Sequence, residues 1–326
     1  MMRPDFFQFL RSPLLWIPVA IAACLPWGLS AYHLAIGTLA LLYVSLALAW
    51  NVVGGIAGQI SLANSVFVGT GALLASALYI RLGIDMWFGM VIAAAVSAIL
   101  GVFMSLLDAR FRLGHLSFAL VTLAFAEIGE LVVAGTDFLG GASGLDLPKD
   151  HGRFWLFEFG GGPGYFWAAL VLALICLVVN QAILSSRLGY YLRALRDNED
   201  AAQAIGIELF RSKATGMAIS AALSSVAGTL FARYSNFVDP TLLASPNLTI
   251  EIVLIATIGG LGTPLGPLIA ALVLIPVGEI LRGQFGGTLP GLHFFLYGVL
   301  IIVVVLTSPQ GIVPRLLSLR RRFRRA

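Results

Sequence analysis

Two carboxylates, Glu127 and Glu130, stand three residues apart inside a long apolar run. Three residues is just under one helical turn, so both lie on one helix face. A charge at the centre of a bilayer costs about 2.5–3.5 kcal/mol on insertion scales, so such groups usually face a cavity or a partner. Titration and the lining of a polar path are the chemistries open to this pair; a hydrogen-bonded structural pair is the alternative. A second polar group, Gln59, Ser61, Asn64 and Ser65, follows the glycines Gly54, Gly55 and Gly58. A helix broken there frees backbone groups that can line a cavity or bind the charged ends of a solute. Serine and asparagine also join helices to one another. Gly259, Gly260 and Gly262, just before Pro264, form another break and are expected to serve a similar gating role.

Other chemistries lack their residues. No Gly-x-x-x-x-Gly-Lys-Ser/Thr phosphate loop is present, so the chain is not expected to bind ATP in that way. His33, His115, His151 and His293 are scattered without metal-ligand spacing. Neither His-Glu-x-x-His nor Gly-x-Ser-x-Gly occurs. Cys24 and Cys176 both sit in apolar runs and read as small buried hydrophobes. No catalytic residue, no metal site and no cofactor is expected in this chain.

Arg187, Arg193, Arg196, Asp197, Glu199, Asp200, Glu208, Arg211 and Lys213 crowd one short stretch between two apolar runs. It reads as a structured segment in water. Asp197 or Asn198 can cap a short helix whose first turn holds Glu199 and Asp200, acids suited to the positive end of a helix dipole. Ala201, Ala202, Ala204 and Ile205 follow, and Gly206 can end the helix in a left-handed conformation. Two turns are unstable alone and need a surface. Either the helix rests on the membrane, or it is a knob for the groove of a cytoplasmic partner. In the second case an arginine at Ala202 is expected to be excluded from the groove.

These residues must be positioned by membrane helices. The chain of 326 residues is 59% hydrophobic and 11% charged, with mean hydropathy +0.95, against about 25% charged residues in soluble domains. Apolar runs able to span a hydrocarbon core of ~30 Å recur along it. They fall at roughly 14–30, 34–52, 60–80, 86–107, 115–135, 165–185, 213–235, 248–259, 265–282 and 292–308. The eighth is short, and it forms either a tilted or half-spanning helix or one discontinuous unit with the ninth. The expected fold is all-α, a polytopic helical bundle with about ten crossings. It divides into an N-terminal segment and first helix (1–30), a core (31–310) and a basic tail (311–326). The N-terminal run after Arg3 and Arg11 is expected to be a retained helix rather than a cleaved leader.

With a cytoplasmic N-terminus, fifteen of the 20 lysines and arginines fall inside, including the segment 187–213 and the tail. The positive-inside rule therefore puts both termini and that segment in the cytoplasm. The tail reads as an anchor to anionic lipid, and the net charge of +4 is not a nucleic-acid signature. The longest outer loop, about 136–165, is rich in glycine and carries Phe154, Trp155, Phe157 and Phe159. It reads either as an interfacial loop or as a docking cap on the outer mouth.

Several stretches occur in one order that resembles a known family. Asn51-Val52-Val53-Gly54-Gly55 precedes Ala57-Gly58-Gln59-Ile60-Ser61-Leu62, and Thr122-Leu123-Ala124-Phe125-Ala126-Glu127-Ile128 follows. Next come Gly140-Gly141 with Gly144-Leu145, then Ser186-Arg187-Leu188-Gly189 and Leu192-Arg193-Ala194-Leu195-Arg196-Asp197-Asn198-Glu199. Gly259-Gly260-Leu261-Gly262-Thr263 and Ser308-Pro309-Gln310-Gly311 close the series. Together they resemble the branched-chain amino acid ABC permeases, nearest to the longer LivM-type subunit, over roughly residues 31–312. One departure is Ala63-Asn64 where the family usually continues Gly-His. That change leaves the exact substrate open.

The resemblance implies a type II-like ABC importer permease in a bacterial inner membrane, moving branched-chain or other aliphatic amino acids by alternating access. It implies a second, LivH-type permease, two cytoplasmic ATPases that use ATP and magnesium, and an extracytoplasmic solute-binding protein. The helix Asp197–Gly206 would couple the ATPases to the permease. A urea or short-amide permease of the same family is an alternative. A proton-coupled secondary transporter built on Glu127 and Glu130 belongs to another class, and a membrane enzyme using an intramembrane acid to a third.

Overall fold

The computed structural model describes residues 13–239 and 244–285, with Gly298, Val299, Ile302, Leu306 and Gly311. A backbone in lipid must satisfy its own polar groups, so the apolar runs fold as helices. The short helices are α1 (Pro13–Cys24), α7 (Arg187–Asp197), α8 (Glu199–Ala204) and α10 (Pro246–Gly259). Seven more are long and apolar enough to cross a membrane among the described residues. They are α2 (Ala31–Ile56), α3 (Asn64–Leu82), α4 (Met86–Phe111), α5 (His115–Ala134), α6 (Gly162–Ser185), α9 (Leu209–Ser235) and α11, which runs Leu265–Phe285. The expected span at 292–308 and the basic tail lie outside the described residues apart from isolated positions. The third span starts at Asn64 rather than near residue 60, because Gln59–Ala63 leaves the helix. The seventh starts at Leu209, so Lys213 sits inside a membrane helix and not in the solvated segment.

α2 is the centre of the bundle: Leu42, Leu46, Ala47, Leu48 and Trp50 are fully enclosed. α6, α9, α10 and α11 pack around it. α9 achieves close contact through Ser212, Gly216, Ser220, Ser224, Gly228 and Ala232, small and buried at every fourth position. Small residues at that spacing let backbones approach where lipid supplies no hydrophobic drive. By contrast α4 turns Phe88, Val91, Ile99, Phe103 and Leu106 outward, an apolar face suited to lipid.

At the end of the bundle opposite α7 and α8, the 135–161 connection folds as a cap. Leu145–Asp146 (β1) pairs antiparallel with Phe237–Val238 (β2). The expected aromatic group is packed: Trp87 meets Phe157 edge-on with centroids 4.6 Å apart, and Phe157 meets Phe159 at 5.2 Å. Trp155 and Phe154 are the exposed members of the group, at 83% and 56%. The Arg233 guanidinium reaches Glu158 at 3.3 Å, and both side chains are 1% exposed. Burial pushes the Glu158 carboxyl up, but the amides of His151 and Arg153 and the guanidiniums of Arg233 and Arg153 outweigh it. They hold Glu158 below the usual glutamate range.

Candidate functional site: a helix break under the charged segment

The last turns of α2 widen into a π-type segment at Val52–Ile56, and the chain then runs non-helical to Asn64. Such bulges recur at functional sites, and the freed backbone groups need partners. They find them. Leu62 N–H donates to Thr122 Oγ1 of α5 at 2.9 Å, Ser65 N–H to Thr249 Oγ1 of α10 at 2.7 Å, and the Trp50 indole to the Ser61 carbonyl at 2.8 Å. Ser224 Oγ of α9 donates to Asn64 Oδ1 at 2.8 Å. The second break is drawn to the first: Gly262 N–H donates to Asn51 Oδ1 at 3.1 Å. Asn51 in turn donates to Asn180 Oδ1 of α6 at 3.0 Å. A methyl group on Gly55 would stand 2.6 Å from the Gly262 nitrogen, so the two breaks touch, as the glycines at both allow.

The sequence suggested that Gln59, Ser61, Asn64 and Ser65 line a path. In this conformation all four are buried inside the bundle, and their bonds tie helices together. Yet Gln59 Oε1, Asn64 Nδ2 and Ser65 Oγ have no partner among the described residues. A buried polar atom left unmatched costs about 1–3 kcal/mol. Three such atoms at one break mark a place that water would stabilise.

Glu127 lies exposed on α5 and Glu130 half-buried beside it. Neither carboxylate has an ion-pair or hydrogen-bond partner among the described residues. The helix that carries them also exposes Leu116, Leu120, Ile128 and Leu131. The structure therefore separates the two groups of polar residues: one is enclosed at the break, the other faces outward on α5.

The charged segment folds as two helices. α7 ends at Asp197, and Asn198 Oδ1 accepts the Ala201 N–H at 3.0 Å to cap α8. Gly206 follows α8 with φ of 89°, the left-handed stop expected of it. Ala202 corrects one expectation. It is 3% exposed and faces the permease itself, whereas Ala201, Ala204 and Ile205, the last 78% exposed, face away. Residue 202 is one position around the helix from 201 and so lies on the seating side. The free side available to a partner is Ala201, Ala204, Ile205 and Gly206.

Sequence reasoning missed three members of this site. Lys213 Nζ, on α9, lies 2.8 Å from Asp108 Oδ2 of α4 and 2.7 Å from Glu199 Oε1 of α8. Gln59 Nε2 donates to the same Asp108 oxygen at 2.7 Å. Arg196, at the end of α7, donates to the Gly55 carbonyl at 2.6 Å. A lysine one turn into an apolar helix and an aspartate one turn from the end of another were the available signals, but nothing local in the sequence pairs them.

A polytopic helical bundle with two touching helix breaks, set against a small capped helix, has the form of a membrane permease. The comparisons agree. The sequence pattern of the family described as the permease component of branched-chain amino acid transport systems matches residues 10–305, and the chain belongs to that family. It is 29% identical over 319 residues to the high-affinity branched-chain amino acid transport system permease protein LivM of Salmonella typhimurium, covering 91% of this chain and 73% of that one. The LivM of Escherichia coli K12 matches at the same identity and coverage. A probable branched-chain amino acid transport permease protein LivH of Methanocaldococcus jannaschii is 27% identical over 194 residues, 58% of each chain. No solved structure matches.

Proposed function

We propose that this chain is the LivM-type permease subunit of an ATP-driven importer of branched-chain or other aliphatic amino acids in a bacterial inner membrane. The observation that carries the reading is the placement of α8: a capped helix with a free apolar side, held against the chain's own helix break by Lys213 and Arg196. The family match and the LivM relatives support the cargo class. The LivH relative supports a second, similar permease as partner. Two ATPases that use ATP and magnesium would grip α8, and a solute-binding protein would dock on the cap that presents Trp155. The excess of lysine and arginine in the segment 187–213 and the tail supports a cytoplasmic side for α7, α8 and both termini.

Glu127 and Glu130 face outward on α5 without partners, and lipid does not tolerate a charge there cheaply. They belong against the second permease, at the wall of the path. The unmatched atoms of Gln59, Asn64 and Ser65 then gain water when the break opens toward that path. Glu127→Gln is expected to lower uptake about fivefold, the equivalent of ~1 kcal/mol lost on neutralising a charge-assisted contact, while assembly is unchanged. Uptake kinetics equal to wild type would return the pair to a structural role.

Ala204→Arg places a bulky charge on the free side of α8 and is expected to cut uptake tenfold or more, since seating a charge in a desolvated groove costs several kcal/mol. Normal uptake at normal ATPase co-purification would remove α8 from the interface. The reading as a whole is tested in vesicles that contain both permeases, the ATPases and the binding protein. Leucine uptake should require ATP. Uptake that survives without ATP and collapses with the proton gradient would overturn it in favour of a secondary transporter.

A further inference from the structure

α8 touches the membrane bundle through the carboxylate of Glu199 as well as through Ala202. α8 offers Glu199, which is 33% exposed; Lys213 and Asp108 are 3% and 2% exposed. Asp108 Oδ2 is shared by Lys213 and Gln59. Gln59 lies in the break, and its backbone N–H donates to the Val53 carbonyl at 3.0 Å, inside the π-type segment. A continuous chain of contacts therefore runs from α8 through α9 and α4 into the break. A second link runs in parallel. The Arg196 side chain crosses Gly58, where an added methyl would sit 2.5 Å from its Cγ, and its guanidinium holds the Gly55 carbonyl. Gly55, in the π-type segment, is held directly by Arg196, and Gln59, within the break, is held through Asp108 and Lys213.

We infer that Lys213 is a positioning residue that carries the displacement of α8 to the helix break, with Asp108 and Gln59 as the next two links. It touches neither solute nor nucleotide. The inference rests on the importer reading above. The physical reason for a lysine is asymmetry. Lys213 and Asp108 are both enclosed, and separating them would strand a buried charge, which costs several kcal/mol. α9 and α4 thus move together at this level. Glu199 holds Lys213 at 2.7 Å while one third exposed, so it is the weaker link, and the enclosed Lys213–Asp108 pair is the stronger one. An apolar contact at the same place would let α8 slide without moving the break.

The test uses the complete transporter in vesicles, with radiolabelled leucine as the probe and ATP hydrolysis recorded on the same sample. Lys213→Met with Asp108→Asn removes both charges and keeps an amide oxygen for Gln59. Replacing a buried ion pair by neutral groups is often neutral for stability. Hydrolysis is expected to persist in the ATPases, its stimulation by the solute-binding protein to be lost, and leucine moved per ATP to fall tenfold or more. Glu199→Gln weakens the first link only, leaves the buried pair intact, and is expected to lower leucine per ATP about threefold with assembly unchanged. A role confined to folding would lower uptake and hydrolysis in proportion. An unchanged ratio in the assembled double variant, or in Glu199→Gln should the double variant fail to assemble, overturns the inference. Failure of the importer reading looks different: the wild-type complex would then show no ATP-dependent leucine uptake at all.

Discussion

Alanine at Gly71 or at Gly228 is expected to leave little correctly folded protein. α3 and α9 meet there backbone to backbone. A methyl group on Gly71 would stand 1.9 Å from the Ser225 carbonyl oxygen, and one on Gly228 would stand 2.2 Å from the Val68 carbonyl oxygen. Neither obstacle is a side chain that can rotate aside, so the helices must separate. Separation would also break the bond from Thr229 Oγ1 to the Gly71 carbonyl, 2.9 Å long. Overpacking of this kind costs about 1–3 kcal/mol or more, and 1–2 kcal/mol already changes the folded population by a factor of about 5–30. The yield of monodisperse protein extracted in mild detergent should fall accordingly. Gly28→Ala, where an added methyl meets nothing within 4 Å and φ is −112°, is the control and should behave as wild type. Normal yield of Gly71→Ala would refute the packing of α3 on α9.

Arg233→Met is expected to destabilise the cap by about 3–5 kcal/mol, the usual cost of leaving one member of a buried ion pair alone. Arg233 also donates to the Pro148 carbonyl at 2.8 Å and to Asn236 Oδ1 at 3.0 Å, so it ties the cap to the end of α9. The pH dependence has a definite sign. Glu158 is held below its ordinary value, so its contribution is present above the unfolded glutamate value of about 4.3. That contribution is lost as pH falls from there through the lower folded value. The deficit of Arg233→Met relative to wild type should therefore be largest at pH 7 and shrink only as pH falls below about 4.3, toward pH 2. Thermal unfolding followed by tryptophan fluorescence at pH 7 and pH 2 measures this. Arg233→Met with Glu158→Gln should recover most of the loss, because the glutamine oxygen still accepts the His151 and Arg153 amides. A deficit that grows in acid would show that Glu158 is not the group concerned.

Much of the helical framework was readable along the chain, because its cause is local. A run of apolar residues long enough for a bilayer must be a helix, and seven such helices appear near their expected places. The two turns of α8 were readable for the same kind of reason: Asn198 caps through an atom three residues away, and Gly206 has the freedom to stop the helix. The glycine breaks were readable, but not that they touch. Asn51 and Gly262 are 211 residues apart, and no periodicity links them.

The same distinction divides the charged residues. Sequence placed Lys213 with its charged neighbours in water, since a lysine without a visible partner is assigned to solvent. Asp108 lies 105 positions away on another helix, and only the packing of α9 on α4 brings its carboxylate within reach and makes burial tolerable. Ala202 and Ala201 are chemically alike, and which of them is buried depended on which side of α8 the rest of the chain occupies.

Apolar length, glycine placement and the distribution of lysine and arginine determined by themselves that this chain crosses a membrane many times, breaks two of its helices and gathers charge at one end. Those properties follow from transfer free energy and backbone freedom, which each residue carries with it. The tertiary structure alone decided that the charge is wired to the breaks and that Glu127 is left facing outward. An ion pair or a shared hydrogen bond exists only when two groups arrive within about 3 Å, and arrival is a property of the packed bundle.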